Sequence, residues 1–423
     1  MSTRHRAVDP HDIPFLQGAT TIDSFQEVKE ILRSPLFKQG GHSTSARYFI
    51  GDTVVMLDGA AHARRRRLEA RLFTDRSLAR FREDALLPVV RRTLRDLADH
   101  ADVDGVVRTD LVALSWSMLY RISARVVGID DVDTVDKMER FIGQIRAIGE
   151  ALTVEFSIRP ADEVIEAGRL AHQVWLEEFL VSSAQRRRKL VAEVAEGALS
   201  ADALPTDLLT LLYSNWEEEW DEELPIREAT LFVVGSVQTT AQALPQLIIH
   251  LEGWFREHPG DRRLLHDDPD FLPRAAAESL RFFLAAPARV RIAIEDTVLE
   301  SSGRKVAAGE RVALLFRPAN TDPDMFGLDA DQFNPFRTTT EVPWGLAFSS
   351  GQHTCPGKPM VTGIGPRGSQ YGTMVTIARA LYDLGLELDS EREVSIDETT
   401  HYEAYTTLPI RLTPAGRSQD WRD

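Results

Sequence analysis

The chain is poor in cysteine: Cys355 stands alone among 423 residues. One thiol excludes an intrachain disulfide. It also excludes a zinc or iron–sulfur site, each of which takes several ligands. Long apolar runs are missing too, and the longest fall far short of a membrane span. No Gly/Ser linker, low-complexity tract or internal repeat divides the sequence. The opening Met1-Ser2-Thr3-Arg4-His5-Arg6 is not followed by the apolar stretch of a secretory signal. With a single cysteine, this predicts a reducing, cytoplasmic setting. Positive charge is in deficit, 49 Lys and Arg against 65 Asp and Glu, for a net −16. That balance disfavours nucleic acid and anionic membrane as partners.

What is present is a hydrophobic content of 43% with 27% charged residues, enough for a large core. Charge is unevenly spread. Arg64 to Arg67 are four consecutive arginines, Arg186 to Lys189 form a second basic run, and acid concentrates in Glu217 to Glu223 around Trp220. Such runs are ordinarily solvated surface.

Helical periodicity dominates from about Ala60 to Phe283. Val106 to Val127 has apolar residues at three-to-four spacing. Leu231 to Leu251 is apolar nearly all round, as a core helix is, and Pro245 is expected to kink it. Alternation predicts strands over Val290 to Leu299 and Lys305 to Leu315, with Ser301-Ser302-Gly303 turning between them. A proline- and aspartate-rich meander follows from Pro318 to Pro343. After Cys355 a helix is expected near Tyr371 to Leu384, then strands near Leu386 and over Thr406 to Leu412. The fold class is mainly α with small β-sheets.

Cys355 lies in Phe348-Ser349-Ser350-Gly351-Gln352-His353-Thr354-Cys355-Pro356-Gly357. A single cysteine is ordinarily a small buried hydrophobe. Two glycines, a proline and a histidine around it are loop chemistry instead. A thiol held in a fixed, partly shielded loop suits an axial haem ligand, where sulfur pushes electron density to favour O–O cleavage.

Here the sequence resembles the cytochrome P450 family. Phe348, Gly351, His353, Cys355 and Gly357 match its Phe-x-x-Gly-x-x-x-Cys-x-Gly loop. Other segments match in order. Glu278-Ser279-Leu280-Arg281 sits where the family has Glu-x-x-Arg, a pair one helical turn apart. Phe333-Asn334-Pro335-Phe336-Arg337 and Ala319-Asn320-Thr321-Asp322-Pro323 match the meander text. The resemblance implies that Glu278, Arg281 and Arg337 form a buried network supporting the haem loop. His62 and Arg66 match the helix that reaches the haem propionates. Arg291 and His353 are the other two implied propionate ligands, which charge-assisted donors suit. Thr239 matches the alcohol of the acid–alcohol pair on the helix crossing the distal haem face. Gln238 stands at the acid position, and an amide cannot relay a proton as a carboxylic acid does.

The resemblance thus implies a single cytochrome P450 domain over residues 1–423, folded around one buried haem b (iron protoporphyrin IX). It implies a monooxygenase that activates dioxygen with electrons from a ferredoxin and ferredoxin reductase type of donor. Its substrate would be a small or medium hydrophobic organic molecule, most simply hydroxylated. Gln238 leaves open oxidative coupling, ring formation or peroxide-driven oxidation. A non-catalytic haem-binding sensor or carrier is the alternative of another class. Arg64, Arg65, Arg67, Arg71 and Lys358 are expected to form the basic face that docks the electron donor. Trp220 is a candidate cap for the pocket. The pocket itself is expected from Ser45 to Val55, Phe141 to Ile158, the region before Gln238, Leu284 to Val290 and Tyr402 to Thr407. Two departures from the family pattern remain. The amino-terminal segment is shortened, because Thr21 to Leu32 already reads as a later strand and helix. The stretch 358–371, with two prolines and three glycines, reads as an insertion before the next helix.

Overall fold

The structure is a computed structural model and describes residues 10–41, 44–283, 286–364 and 370–413. The sequence expectations for 1–9, for Leu284 and for the centre of the 358–371 stretch lie outside the described residues. In chain order the elements that matter are α1 (Phe25–Arg33), α2 (Gly59–Glu69), α3 (Leu111–Val127), α4 (Val135–Leu152), α5 (Ala161–Trp175) and α6 (Leu224–Glu257). They continue with α7 (Phe271–Phe282), α8 (Lys358–Thr362) and α9 (Thr373–Asp383). The main sheet takes β1 (Thr20–Ile22), β2 (Phe37–Gln39), β3 (Arg289–Ala293) and β4 (Arg311–Leu314). No helix among the described residues is long and apolar enough to cross a membrane.

The contacts group the chain into two compact units. Of the described residues, the first takes those within 10–41, 101–112 and 242–413. Its sheet has the order β1-β4-β3-β2. β1 pairs parallel with β4, Thr20 opposite Val312, while β3 runs antiparallel to both β4 and β2. The periodic residues Phe25, Val28, Ile31 and Leu32 of α1 close over this sheet with Ile22, Val312, Leu314 and Phe316. Leu346, two residues before Phe348, belongs to the same cluster. A core contact therefore anchors the chain just ahead of the cysteine loop. The first N–H of α1, at Phe25, is satisfied by Asp322 Oδ2 at 3.2 Å, a cap supplied by the meander. A second sheet sets Glu387–Leu388 and Val107–Asp110 on either side of Pro409–Leu412.

The second unit holds 42–100 and 113–241 and is built mainly of helices. Thr134 caps α4, its Oγ1 accepting from Lys137 N at 3.3 Å. α4 and α5 approach closely because Gly168 of α5 has no side chain. A Cβ there would stand 2.3 Å from the Ala151 Cβ.

Several boundaries differ from the sequence expectation. Val106 to Val127 is a strand, Val107–Asp110, followed by α3. The strand exists because it pairs with Pro409–Leu412, about three hundred positions away, which periodicity cannot register. Thr406 to Leu412 divides at Leu408, whose N–H is taken by Asp110 Oδ1 at 3.0 Å. Helix α6 runs unbroken from Leu224 through Pro245 to Glu257. After Gly357 the chain makes the five-residue α8, then the hairpin of Gly363–Ile364 with Gln370–Tyr371, then α9. Gly363 and Gly372 allow this close passage. A Cβ on Gly372 would lie 2.1 Å from Val361 O.

Candidate active site

In the first unit Cys355 is exposed on a loop that follows the short helical turn Gly351–His353. Its N–H donates to Phe348 O at 2.9 Å, which closes the loop around the sulfur. Ser349 and Gly351 both take left-handed backbone, φ 60° and 72°. At Gly351 only glycine fits, since a Cβ would stand 2.3 Å from Leu32 O at the end of α1. Phe348 is buried, with its ring edge against Trp344. Arg291 on β3 is also buried, at 5% exposure. His353 is half-buried beside Cys355.

Glu278, Arg281 and Arg337 are brought together. Arg281 Nε and Nη2 donate to the two oxygens of Glu278 at 2.9 and 2.7 Å. Arg337 Nε donates to Glu278 Oε1 at 2.9 Å. Each arginine also ties down main chain. Arg281 Nη1 reaches Asn320 O and Ala330 O, both at 2.6 Å. Arg337 reaches Phe326 O and Gln332 O at 2.6 and 2.8 Å, and Asp329 Oδ1 at 2.7 Å. Burial works against the charge of Arg337, but its bonds to Asp329 and Glu278 hold its pKa above the ordinary value.

Asn320 was quoted in the sequence only as matching text, and its role was missed. It is fully buried; its Nδ2 donates to Arg281 O at 2.9 Å and its Oδ1 accepts from Leu346 N at 2.8 Å. It thereby links α7 to the chain entering the cysteine loop. Gly345, at φ 54°, gives it room, because a Cβ there would lie 2.4 Å from Asn320 Oδ1. An asparagine two residues before Asp-Pro was the only visible signal.

In the second unit His62, Arg65 and Glu69 share the buried face of α2, as spacings of three and seven require. Arg66, four residues after His62, is half-buried. Burial, and then the Arg66 charge, push the His62 pKa down. One expectation fails here. Arg65 does not belong to a docking face: it is 7% exposed and donates to Glu228 Oε1 at 2.5 Å. The Trp220 ring lies over the Arg65 guanidinium at 4.4 Å. Glu228 also accepts from Val54 N at 2.9 Å and faces Glu69, which is fully buried.

On α6, Thr239 Oγ1 donates to Gly235 O at 3.1 Å. Gly235 and Ser236 are exposed in an otherwise apolar stretch, and no atom lies within 4 Å of where a Gly235 Cβ would be. Ser236 bonds Ser123 of α3, Oγ to Oγ, at 2.7 Å. Gln238 is half-buried, and among the described residues its amide has no hydrogen-bond partner. Its Oε1 instead lies against Gly149 of α4.

A mainly helical frame with small sheets and one cysteine loop is the architecture of a class of haem enzymes, and comparison with known proteins agrees. A family model described as Cytochrome P450 matches residues 269–362. Nocardicin C N-oxygenase of Nocardia uniformis subsp. tsuyamanensis is 28% identical over 366 residues, 83% of this chain and 80% of the relative. Luteothin monooxygenase of Streptomyces thioluteus is 28% identical over 317 residues, 74% of this chain and 68% of the relative. Among solved structures, P450BioI in complex with an acyl carrier protein ligated to hexadec-9Z-enoic acid superposes with a TM-score of 0.69. It shares 19% identity and covers 93% of this chain and 92% of its own. The chain belongs to the cytochrome P450 family, of the bacterial type. It is a P450 monooxygenase, and its cofactor is haem b.

The residues fit that group. The first unit offers the chain's single thiol, exposed, and the buried cation Arg291. The second offers His62 and Arg66 on neighbouring positions of one helix face. A soft sulfur for iron and several cationic or N–H donors for two carboxylates are the donors this cofactor takes.

Proposed function

We propose that Cys355 would hold the haem iron through its sulfur and that the enzyme hydroxylates a small or medium hydrophobic organic substrate. The observation that carries this reading is the loop itself. The one thiol of the chain is exposed on a turn whose backbone is set by left-handed Ser349 and Gly351 and closed by the Cys355 N–H to Phe348 O bond. When bound, haem b supplies the redox chemistry that activates dioxygen and oxidises the substrate. His62, Arg66, Arg291 and His353 would hold its propionates. Phe348 shields the sulfur side. Glu278, Arg281, Arg337 and Asn320 hold the chain that enters the loop.

Thr239 handles protons. Its hydroxyl rests on Gly235 O, and the exposed Gly235 and Ser236 leave space for water beside it. Gln238 orients such a water and gives up no proton of its own. That property supports a second reading, a P450 that carries out oxidative coupling, ring formation or peroxide-driven oxidation, which needs fewer delivered protons. Electrons come from a ferredoxin-type donor and its reductase. The chain acts as one P450 domain in the cytoplasm, with an insertion over 358–371.

The test is the carbon monoxide difference spectrum of the reduced protein. Wild type is expected to show the band that names the family, and Cys355→His the shorter-wavelength band of histidine-ligated haem. A histidine-type band in well-folded wild type would overturn the assignment of Cys355.

A further inference from the structure

Helix α4 meets α6 at a glycine. A Cβ on Gly149 would stand 2.9 Å from Gln238 Oε1 and 3.4 Å from Val234 Cγ1. Val234 and Gln238 are four apart, so they form one ridge of α6, and Gly149 is where that ridge seats. Gly235 and Thr239 form the next ridge. That ridge is the open one: Gly235 is exposed, and nothing lies within 4 Å of its missing Cβ. Gln238 therefore stands on the border between the helix contact and the open side. Its amide has no hydrogen-bond partner among the described residues to choose between them. The missing side chain of Gly149 creates the space in which the amide lies.

We propose that Gly149 is a positioning residue for Gln238. It draws the amide onto α4 and keeps it clear of the Gly235–Thr239 ridge, where water must stand. This rests on the reading of Thr239 and Gln238 given above. It adds that α4, a helix of the proposed substrate pocket, governs proton handling through one contact, so movement of α4 on substrate binding moves the amide. The local chain supports a fixed contact. Thr153 Oγ1 donates to Gly149 O at 3.0 Å, and Gly168 locks α5 against the next turn of α4.

The effect separates from folding. Gly149 has no left-handed backbone requirement, and alanine is the better helix former. The atom a new Cβ would meet is the far end of a flexible side chain, so the amide moves and the helices stay.

The experiment compares wild type, Gly149→Ala, Gly149→Ala with Gln238→Asn, and Gln238→Ala. The readouts are hydrogen peroxide released per NADPH consumed through a surrogate ferredoxin and reductase, the solvent isotope effect on that consumption, and a crystal structure of Gly149→Ala. Gly149→Ala is expected to melt no lower than wild type. Its amide should turn toward Gly235, peroxide release should change severalfold, and the isotope effect should change with it. The shorter amide of Gln238→Asn should bring both back toward wild type. If Gln238→Ala changes the readouts and Gly149→Ala leaves them alone, the positioning role of Gly149 is overturned and the reading of Gln238 stands. If Gln238→Ala also changes nothing, both fall.

Discussion

Arg281 is fully buried and spends its guanidinium on Glu278 and on two main-chain carbonyls. Removing one member of such a set leaves the others charged, dry and uncompensated. Glu278→Gln is therefore expected to cost about 3–5 kcal/mol in urea unfolding, with haem lost at lower denaturant than in wild type. An exposed ion pair such as Arg411 with Glu387 should cost under about 1 kcal/mol in the same assay. Gly351 is the second sensitive residue. Its φ of 72° and the 2.3 Å from a virtual Cβ to Leu32 O leave no place for a side chain. Gly351→Ala should tilt the cysteine loop away from α1 and reduce the thiolate-type carbon monoxide band. A spectrum equal to wild type would show that the loop does not depend on this seat.

At the scale of elements, α2 is held to the start of α6 by charge in a dry place. Arg65 serves Glu228, while the buried Glu69 carboxyl faces Glu228, carboxyl to carboxyl. The Arg66 charge acts on Glu69, Trp220 lies over Arg65, and Val54 N donates to Glu228. Burial is the first cause that raises the pKa of both carboxyls, and for Glu69 the facing Glu228 adds to it. The pair then holds a proton that the unfolded chain gives up more easily. A folded pKa above the unfolded one means stability that is whole below the ordinary carboxylate range. It is lost as the pH rises toward the folded value, about 7 for Glu228. Urea stability is thus expected to fall between about pH 5 and about pH 8, and Glu69→Gln should flatten that slope. An equal slope in the variant would remove the pair from the account. Because α2 also carries His62 and Arg66, the haem transfer rate to an acceptor protein should follow the same pH dependence.

For the whole molecule, a net charge of −16 repels an acidic electron donor at long range. Attraction must come from a local basic surface within a screening length, about 8 Å at physiological salt. On α2 and just beyond it Arg64, Arg67 and Arg71 are exposed, whereas Arg65 is not. Reversing those three to glutamate should slow reduction by a ferredoxin severalfold and remove most of its salt dependence. Arg65→Glu should instead damage folding. An unchanged reduction rate in the triple variant would place the docking surface elsewhere.

Chain order and residue type were enough for part of this protein. The cysteine loop, the Glu278–Arg281 turn and the Arg337 meander are local text, read without knowing a contact. So were α6 and α9, each expected as a helix. Only tertiary structure decided the rest, because it depends on which distant groups share a dry volume. Four adjacent arginines look alike in sequence, yet one is an internal partner of Glu228 and its neighbours are solvated. A strand at 107–110 exists for the sake of residues near 410. Gly149 matters because the end of a side chain 89 positions later lies against it. Asn320 is conspicuous only once Arg281 and Leu346 are seen to need the same amide.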